Sequence, residues 1–302
     1  MSSGTAAHSA QIRADLLLLL TALIWGFAFV AQRAGMEHVG PFFFNGVRFA
    51  LGCMPLLPFV LRTTTTPLSS RFRVALPGGL LAGLFLFTAA SLQQVGIVYT
   101  TAGKAGFITG LYVILVPILG LLLRYRSRRS TWTGALVATS GLYLLSVEPP
   151  LAIARGDALV LVSAFFWAGH VLVIGSLSRQ LDWAMLAFLQ FFVCALLSTA
   201  VAVGTEHIAL QPLVDAAVPV FYGGVMSVGV AYTLQVVAQR RAAPGHAAII
   251  LSLETVFAAL GGWLLLSEEM PLRGLAGCGL MFAGMLISQD IGARLRIFWK
   301  TA

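Results

Sequence analysis

Two ionisable residues lie well inside long apolar stretches of the sequence, where a charged side chain is costly to keep. Glu254 stands about eleven residues into its stretch, and Arg48 stands about seven residues into another. A charged residue at the centre of a helix in lipid costs about 2.5–3.5 kcal/mol on insertion scales. Glu254 is therefore a candidate to bind a ligand, with an interhelical clamp as the alternative. For Arg48 we favour a structural role, helped by Asn45 one turn earlier on the same face.

Polar and aromatic side chains recur at helical spacing inside other apolar stretches, and they predict the wall of a cavity. Two such stripes are Thr21, Trp25 and Gln32 in the first stretch and Ser163, Trp167 and His170 in a later one. The full set of candidate ligand-binding residues is Trp25, Gln93, Lys104, Tyr112, Trp167, His170, Tyr232, Gln235 and Glu254. Structural or coupling roles are assigned to Asn45, Arg48, Gln190 and His246.

A cavity with these side chains suits a zwitterion that carries an apolar or aromatic group. Trp and Tyr offer flat apolar contact with one polar handle, a Trp face can hold an ammonium, and helix N-termini can hold a carboxylate. Lys104 either meets such a carboxylate or extends its ammonium to the membrane surface. For His246 membership of a basic loop is the favoured interpretation, although it could instead meet a carboxylate on the opposite face from Lys104.

Composition places all of these residues in a membrane. The 302 residues are 59% hydrophobic and only 10% charged, with a mean hydropathy of +0.91, whereas soluble domains are about 25% charged. About 20 apolar residues cross a bilayer as a helix, so the chain has room for ten crossings and for no sizeable soluble domain. The net charge of +8 sits in short clusters between apolar stretches, which indicates topology-setting loops rather than nucleic-acid binding.

The apolar stretches predict ten spans, with boundaries uncertain by about two to four residues. They are 14–34, 41–61, 74–97, 101–123, 131–147, 157–177, 183–203, 213–237, 243–266 and 272–290. The first is too long for the apolar part of a signal peptide, so we expect it to be retained. Fourteen Lys and Arg residues fall in the loops of one side and four in those of the other, which places both termini in the cytoplasm.

The second half of the chain repeats the first at an offset of 142 residues. The offset brings Asp15 onto Asp157, Trp25 onto Trp167 and Lys104 onto His246, and it brings Ser91 to Gln93 onto Thr233 to Gln235. Each half holds five spans, and because five is odd, the second half enters the membrane from the opposite side. Inverted repeats of this kind place a substrate site between the halves and let them alternate access to it. We expect Trp25 and Trp167 to face each other across the symmetry axis.

Three segments also resemble a known family. "LIWGFAFV" in the first span, "FNGVRFALG" in the second and "SLETVFAALGGWLLLSEE" near the end resemble the ten-helix carriers of the drug/metabolite transporter superfamily, EamA type. The resemblance covers nearly the whole chain and implies metabolite export, with aromatic amino-acid exporters of the YddG type as the suggested subgroup. It departs from the family at Thr255, where a proline is usual, and this predicts a straighter ninth helix.

The sequence thus predicts an all-α integral membrane protein with ten transmembrane helices in two inverted five-helix repeats. Its expected parts are a cytoplasmic tail (1–13), the two repeats (14–148 and 149–291) and a basic tail (292–302). We expect an exporter in the cell (inner) membrane that carries amino acids with apolar or aromatic side chains. Its expected partners are a small-molecule substrate and the lipid bilayer, without nucleic acid, and it is expected to be a monomer, with a dimer as the alternative.

Three other functions remain alternatives: proton-coupled efflux of lipophilic cations through Glu254, an intramembrane enzyme, and a membrane assembly protein. The sequence contains no HExxH, GxSxG or P-loop pattern. Its three cysteines, Cys53, Cys194 and Cys278, lie in apolar stretches without a CxxC or His-rich partner. We therefore predict no catalytic residue, no metal site and no cofactor.

Overall fold

A computed structural model describes residues 2–62, 64–124, 127–146, 155–266 and 272–288, and these are helices joined by short turns without any strand. The ten long helical segments are α1 (Ser2–Gly35), α2 (Pro41–Leu61), α3 (Leu68–Val98), α4 (Ala102–Leu122), α5 (Arg129–Ser146), α6 (Arg155–Leu177), α7 (Trp183–Thr205), α8 (Ala217–Gln239), α9 (Pro244–Leu266) and α10 (Leu272–Ser288). Eight of them are long and apolar enough to cross a membrane, while α5 and the shorter α10 complete two sets of five. The predicted fold class is confirmed.

Most segment boundaries lie close to the predicted ones, and three differ more. Helix α1 begins at Ser2 instead of 14, so it includes most of the residues assigned to the tail 1–13. Helix α3 begins at Leu68 instead of 74, because its first turns are polar and the apolar stretch used for the prediction starts after them. Helix α8 begins at Ala217 instead of 213, because Leu210–Asp215 forms a separate short helix. The predicted ends at 147 and 290 lie outside the described residues. The domain boundaries proposed from the sequence stay a prediction.

Two of the crossings are broken near their middle. Helix α4 consists of Ala102–Gly110 and Tyr112–Leu122, and α9 consists of Pro244–Leu251 and Glu254–Leu266. The expectation of a straighter α9 was wrong, because Ser252 and Leu253 form a turn there without a proline. The Thr255 hydroxyl donates to the backbone oxygen of Gly106 at 3.0 Å and so ties the two broken helices together. Such broken helices are typical of substrate sites between inverted repeats.

Helix α8 has an unusual backbone at the same depth. Between Ala217–Phe221 and Thr233–Gln239 it runs as a π-helix over Tyr222–Tyr232. π-Helical geometry is rare and frequently occurs at functional sites. The segment rotates the following residues relative to a regular helix, and both Ser227 and Tyr232 come from it.

Side-chain contacts between loops divide the molecule into two faces. On the face rich in Lys and Arg, which we call the basic face, Arg62 and Arg71 pair with Asp182 at 2.7 and 3.3 Å. On the opposite face Glu206 accepts from the backbone N–H groups of Phe42 and Phe43, both at 2.8 Å, and caps α2. Each contact joins loops that the charge pattern assigns to one side of the membrane, so the fold agrees with the alternation of ten spans.

Close helix packing rests on glycine, as at the GxxxG spacing of Gly79 and Gly83 in α3. A Cβ atom at Gly79 would lie 2.4 Å from Cβ of Leu189, and one at Gly83 would lie 2.6 Å from Cβ of Val193. Helix α3 therefore approaches α7 as closely as a backbone without side chains allows. This packing holds α3 and its polar residues against the centre of the protein.

Candidate functional site

A small cavity of about 30 Å³ lies between the two repeats. Side chains from α1, α2, α3, α4, α6, α8 and α9 reach it. The volume admits a water molecule but not an amino acid, so a solute of that size needs the halves to move apart. Seven of the nine candidate ligand-binding residues line it: Trp25, Gln93, Tyr112, Trp167, Tyr232, Gln235 and Glu254.

Three aromatic rings form one wall of the cavity. The Tyr232 ring lies between the two equivalent tryptophans, with its centroid 4.5 Å from that of Trp25 and 6.0 Å from that of Trp167. The Trp25 N–H donates to the backbone oxygen of Ser227 at 3.3 Å, within the π-helical segment. The tryptophans therefore do not face each other directly as predicted, since the tyrosine separates them.

Gln93 is the centre of a hydrogen-bond network that joins four helices. Its amide oxygen accepts from the Trp167 indole at 2.7 Å and from the Thr109 hydroxyl at 3.2 Å, and its amide nitrogen donates to Gln32 at 3.3 Å. All four side chains line the cavity. The network fixes the orientation of the Trp167 ring because both polar atoms of Gln93 are occupied.

Gln235, the repeat equivalent of Gln93, has no such network. It is 1% exposed and lines the cavity, and neither atom of its amide has a hydrogen-bond partner among the described residues. A buried amide without partners costs about 1–3 kcal/mol. A polar group of a bound solute would satisfy it.

Arg48 brings a cation to the cavity wall. The side chain is 1% exposed, its Nε donates to the Asn45 amide oxygen at 2.9 Å, and its guanidinium lies 4.9 Å from the ring centroid of Phe49. Asn45 in turn donates to the backbone oxygen of Ala90 at 3.2 Å, which anchors the pair to α3. No carboxylate of the described residues forms an ion pair with Arg48.

Glu254 brings a carboxyl group to the same cavity. It opens the second half of α9, directly after the break, and is 4% exposed. Tyr112 opens the second half of α4 at the equivalent repeat position, and the two side chains interact. Glu254 forms no ion pair with any cation in the described part of the chain. One unpaired cation and one unpaired carboxyl group thus share a cavity with aromatic walls.

The remaining candidates lie outside the cavity. His170 is buried behind Trp167 and Tyr232, where its ring bonds Gln190 at 2.8 Å. His246 bonds Asp15 at 2.9 Å and Ser288 at 3.1 Å near the basic face. The structure does not bring Lys104 to the cavity either, because its side chain is exposed at the opposite face. The roles given to all of these residues stay predictions.

A sequence profile of the EamA-like transporter family matches residues 12–147 and, a second time, residues 154–288. The chain belongs to the EamA-like transporter family. It is 33% identical over 291 residues to an uncharacterized transporter of Archaeoglobus fulgidus, covering 94% of this chain and 89% of the relative. It is also 28% identical over 156 residues to a probable amino-acid metabolite efflux pump of Salmonella typhimurium, half of each chain.

A solved structure has the same fold as this EamA-like transporter. It superposes with a TM-score of 0.74 at 18% identity and covers 93% of this chain and 98% of its own. Together with the family match, this makes the protein a multi-pass membrane transporter of the drug/metabolite superfamily, as its motifs predicted. The two matched segments correspond to the two repeats.

Sequence reasoning missed five residues of the cavity in this EamA-like transporter. They are Ala28, Phe29, Thr109, Val171 and Ser227. Phe29 lies one turn after Trp25, so the helical spacing of the first stripe could have found it. Thr109 and Ser227 gave no such signal, because their places depend on the break in α4 and on the π-helix in α8.

Metal-ligating side chains do not cluster in the described part of the transporter. No three His, Cys, Asp or Glu side chains in this part of the chain come together as a metal site would require. Cys53, Cys194 and Cys278 are buried and unpaired. The side chains that line the cavity can recognise a solute by charge, hydrogen bonding and aromatic contact.

Proposed function

We propose that this transporter exports small metabolites by alternating access, and that its main substrates are amino acids with apolar or aromatic side chains. The observation that carries the proposal is that Arg48 and Glu254 line the same aromatic cavity, each buried and without an ion-pair partner among the described residues. We further propose that it resides in the cell (inner) membrane with the basic face and both termini in the cytoplasm.

The physical argument is that buried unpaired charges are costly and call for compensation. An amino acid supplies both partners, since its carboxylate can take two N–H groups of the Arg48 guanidinium and its ammonium can donate to Glu254. Its side chain would then lie against Trp25, Tyr232 and Trp167, whose flat faces suit apolar and aromatic groups. The Gln235 amide would donate to the carboxylate of the amino acid or accept from its ammonium group.

Access to the cavity requires motion, because about 30 Å³ cannot hold the substrate. The breaks in α4 and α9 lie at equivalent positions of the two repeats and border the cavity. We propose that the halves rock about these breaks, opening the cavity to one face at a time. Glu254 and Tyr112, which open the second halves of the two broken helices, would move with them.

Proton-coupled efflux of lipophilic cations is the second candidate. A buried Glu254 without a cationic partner supports it, because such a carboxyl group could exchange a proton for a cation. Arg48 in the same cavity weighs against it, since a fixed guanidinium repels a cationic solute. The sequence lacks the common catalytic patterns of an enzyme. No observation in the cavity supports an intramembrane enzyme or an assembly protein.

Counterflow in proteoliposomes tests the proposal. We expect internal unlabelled phenylalanine to accelerate uptake of labelled phenylalanine and tryptophan, without a pH gradient. Arg48→Gln and Glu254→Gln should each raise KM about tenfold or more, since a hydrogen bond to a charged group contributes about 1.5–3 kcal/mol and 1.4 kcal/mol is tenfold. Arg155→Gln, which removes an exposed charge at the opposite face, is the matched control.

Two results would contradict the proposal. One is the absence of counterflow for every apolar and aromatic amino acid in liposomes that contain folded protein. The other is tetraphenylphosphonium efflux that depends on a proton gradient and is lost in Glu254→Gln, which would favour the second candidate.

A further inference from the structure

A second opening, of about 610 Å³, lies on the basic face. Four arginines line it: Arg13, Arg179, Arg240 and Arg241. Its floor is apolar and includes Leu17 and Val237, and none of the described residues in its lining is Asp or Glu. We call this opening the arginine vestibule.

The four arginines come from three separate parts of the chain, and all are exposed. Arg179 donates one hydrogen bond, at 3.4 Å, to the backbone oxygen of Ala242. In the part of the chain that the structure describes, none of the four forms an ion pair. The nearby carboxylate of Asp15 is engaged by His246 at 2.9 Å and by Gln11 at 2.8 Å, so it is already occupied.

Three of the helices that line the central cavity, α1, α6 and α8, also lead to the vestibule. Arg13 and Trp25 both lie on α1, twelve residues apart. Trp167 lies on α6 and Arg179 lies two residues after its end, again twelve residues apart. At 1.5 Å per helical residue this separation is about 18 Å. On α8, Gln235 lines the cavity, and Arg240 and Arg241 follow the end of the helix. The vestibule therefore lies over the cavity, on its path to the basic face.

A buried layer separates the two openings in this structure. The Thr21 hydroxyl donates to the backbone oxygen of Ala231 at 3.2 Å, and Gln239 donates to that of Val171 at 2.9 Å. These bonds join α1 to α8 and α8 to α6. The path from the vestibule to the cavity is thus closed by contacts between the helices that line both.

Membrane topology alone does not account for the vestibule. The positive-inside tendency explains why arginines lie on the basic face, but Arg62 and Arg71 on that face pair with Asp182. The four vestibule arginines instead converge on a concave opening, and none of them pairs with a carboxylate among the described residues. Such an arrangement concentrates anions and repels cations.

We propose that the arginine vestibule is a loading site that binds the carboxylate group of the molecule to be exported before it enters the cavity. The proposal rests on the proposed function and adds a charge filter to it. Guanidinium groups bind carboxylates through two parallel hydrogen bonds, and the apolar floor receives the side chain of the solute. A cation meets four like charges at this mouth, so the vestibule also excludes the lipophilic cations of the second candidate function.

Entry of labelled phenylalanine from the basic face tests the proposal, measured in inside-out vesicles at low and high ionic strength. We expect Arg240→Gln with Arg241→Gln to raise KM by about threefold or more without changing kcat, and to flatten the rise of KM with salt. Entry from the opposite face should not change. Arg179→Gln alone should raise KM by a smaller factor. This single variant tests the proposal if the double variant does not fold.

Two matched variants control the test. Arg73→Gln with Arg129→Gln removes the same charge from exposed positions of the basic face that do not line the vestibule, and it should behave as the wild type. Arg240→Lys with Arg241→Lys keeps the charge and should keep the salt dependence. Benzoate, a carboxylate without an ammonium group, should compete with phenylalanine, and tetraphenylphosphonium should not.

The outcomes separate the vestibule from the proposed function. A wild type that shows no amino-acid counterflow contradicts the proposed function. A wild type that transports, with Arg240→Gln and Arg241→Gln indistinguishable from the Arg73 and Arg129 control, overturns the vestibule alone. An effect that is present in vesicles with anionic lipid and absent in pure phosphatidylcholine also overturns it, because the arginines then bind lipid headgroups.

Discussion

Gln93 and Gln235 are equivalent in the repeat, yet their surroundings differ. Gln93 makes three hydrogen bonds to protein, and Gln235 makes none among the described residues. The sequence offset predicts that both reach the cavity, which the structure shows, but not which one is satisfied by protein. That difference arises from Thr109 and Gln32, whose counterparts in the second repeat, Leu251 and Ile174, cannot form hydrogen bonds through their side chains.

This difference predicts opposite effects of the same substitution. Gln93→Leu leaves the Trp167 indole and the Thr109 hydroxyl without an acceptor, and each such buried group costs about 1–3 kcal/mol. Gln235→Leu removes only unpartnered atoms, so the free energy of unfolding should be unchanged or higher, while KM for phenylalanine rises. Thermal unfolding in detergent and counterflow on the same samples measure both. Equal loss of stability in the two variants would contradict the assignment of Gln235 to the substrate.

Asp182 gives a pH-dependent prediction on the basic face. Burial alone would raise the pKa of Asp182, but the Met185 backbone N–H and the guanidinium groups of Arg62 and Arg71 outweigh it and lower the pKa below the ordinary value. Stabilisation by this carboxylate is therefore present above the unfolded pKa of about 3.9 and is lost as pH falls through the folded value. Asp182→Asn should lower Tm at pH near 7, and the difference from wild type should shrink below about pH 4.

The control for this pH experiment is Asp215→Asn. Its carboxylate accepts one exposed hydrogen bond, from Gln211 at 2.9 Å, and contacts no arginine among the described residues. This variant should keep the wild-type dependence of Tm on pH. If Asp182→Asn keeps it as well, the ion pairs with Arg62 and Arg71 do not stabilise the fold.

Hydropathy predicted where the helices lie, because about 20 apolar residues must cross the bilayer wherever they occur. It did not predict the breaks in α4 and α9. The break in α4 follows Gly110, but Gly103 and Gly106 occur in the same half-helix without a break. Ser252 and Leu253 have no glycine or proline beside them, and the turn in α9 is held by a contact from Thr255 to Gly106 on a different helix. Tertiary contacts of this kind cannot be recognised from the local sequence. The sequence therefore predicted most of the candidate residues of the cavity but not the shape of the cavity.

The pairing of α5 with α10 gives a prediction about helix packing. A Cβ atom at Gly284 would lie 2.6 Å from the backbone oxygen of Gly134 and 2.8 Å from the backbone nitrogen of Ala138. Backbone atoms cannot rotate away, so Gly284→Val should destabilise the protein by about 1–3 kcal/mol. Gly279→Val on the same helix meets nothing within 4 Å and should leave Tm nearly unchanged. Similar Tm values for the two variants would show that α5 and α10 are not packed at Gly284.

The repeat relates the two faces of the whole molecule without making them alike. Asp15 and His246 are equivalent to Asp157 and Lys104, and the offset of 142 residues predicted that correspondence. In the structure Asp15 and His246 are 2.9 Å apart, whereas Asp157 accepts from Thr100 at 2.6 Å and Lys104 is exposed. Sequence equivalence fixes which positions correspond, while the contacts depend on the conformation that each repeat adopts.

The placement of the two faces makes a final prediction, which concerns orientation. Thr65 and Gln180 are exposed on the basic face, and Glu37 and His207 are exposed on the opposite one, so four single cysteine variants can report both sides. A membrane-impermeant maleimide should label Glu37→Cys and His207→Cys in intact cells, and Thr65→Cys and Gln180→Cys only after permeabilisation.

Cys53, Cys194 and Cys278 are buried, so the parent protein should remain unlabelled and serve as the control. The reverse pattern would place the basic face outside, and the arginine vestibule would then be an exit rather than a loading site. A third outcome would contradict the predicted number of crossings. Thr65 precedes α3 and Gln180 precedes α7, so four crossings are expected between these two positions. If only one of them were labelled in intact cells, an odd number of crossings would separate them. The inverted relation of the repeats depends on five crossings in each half, so that result would remove the basis for alternating access between them.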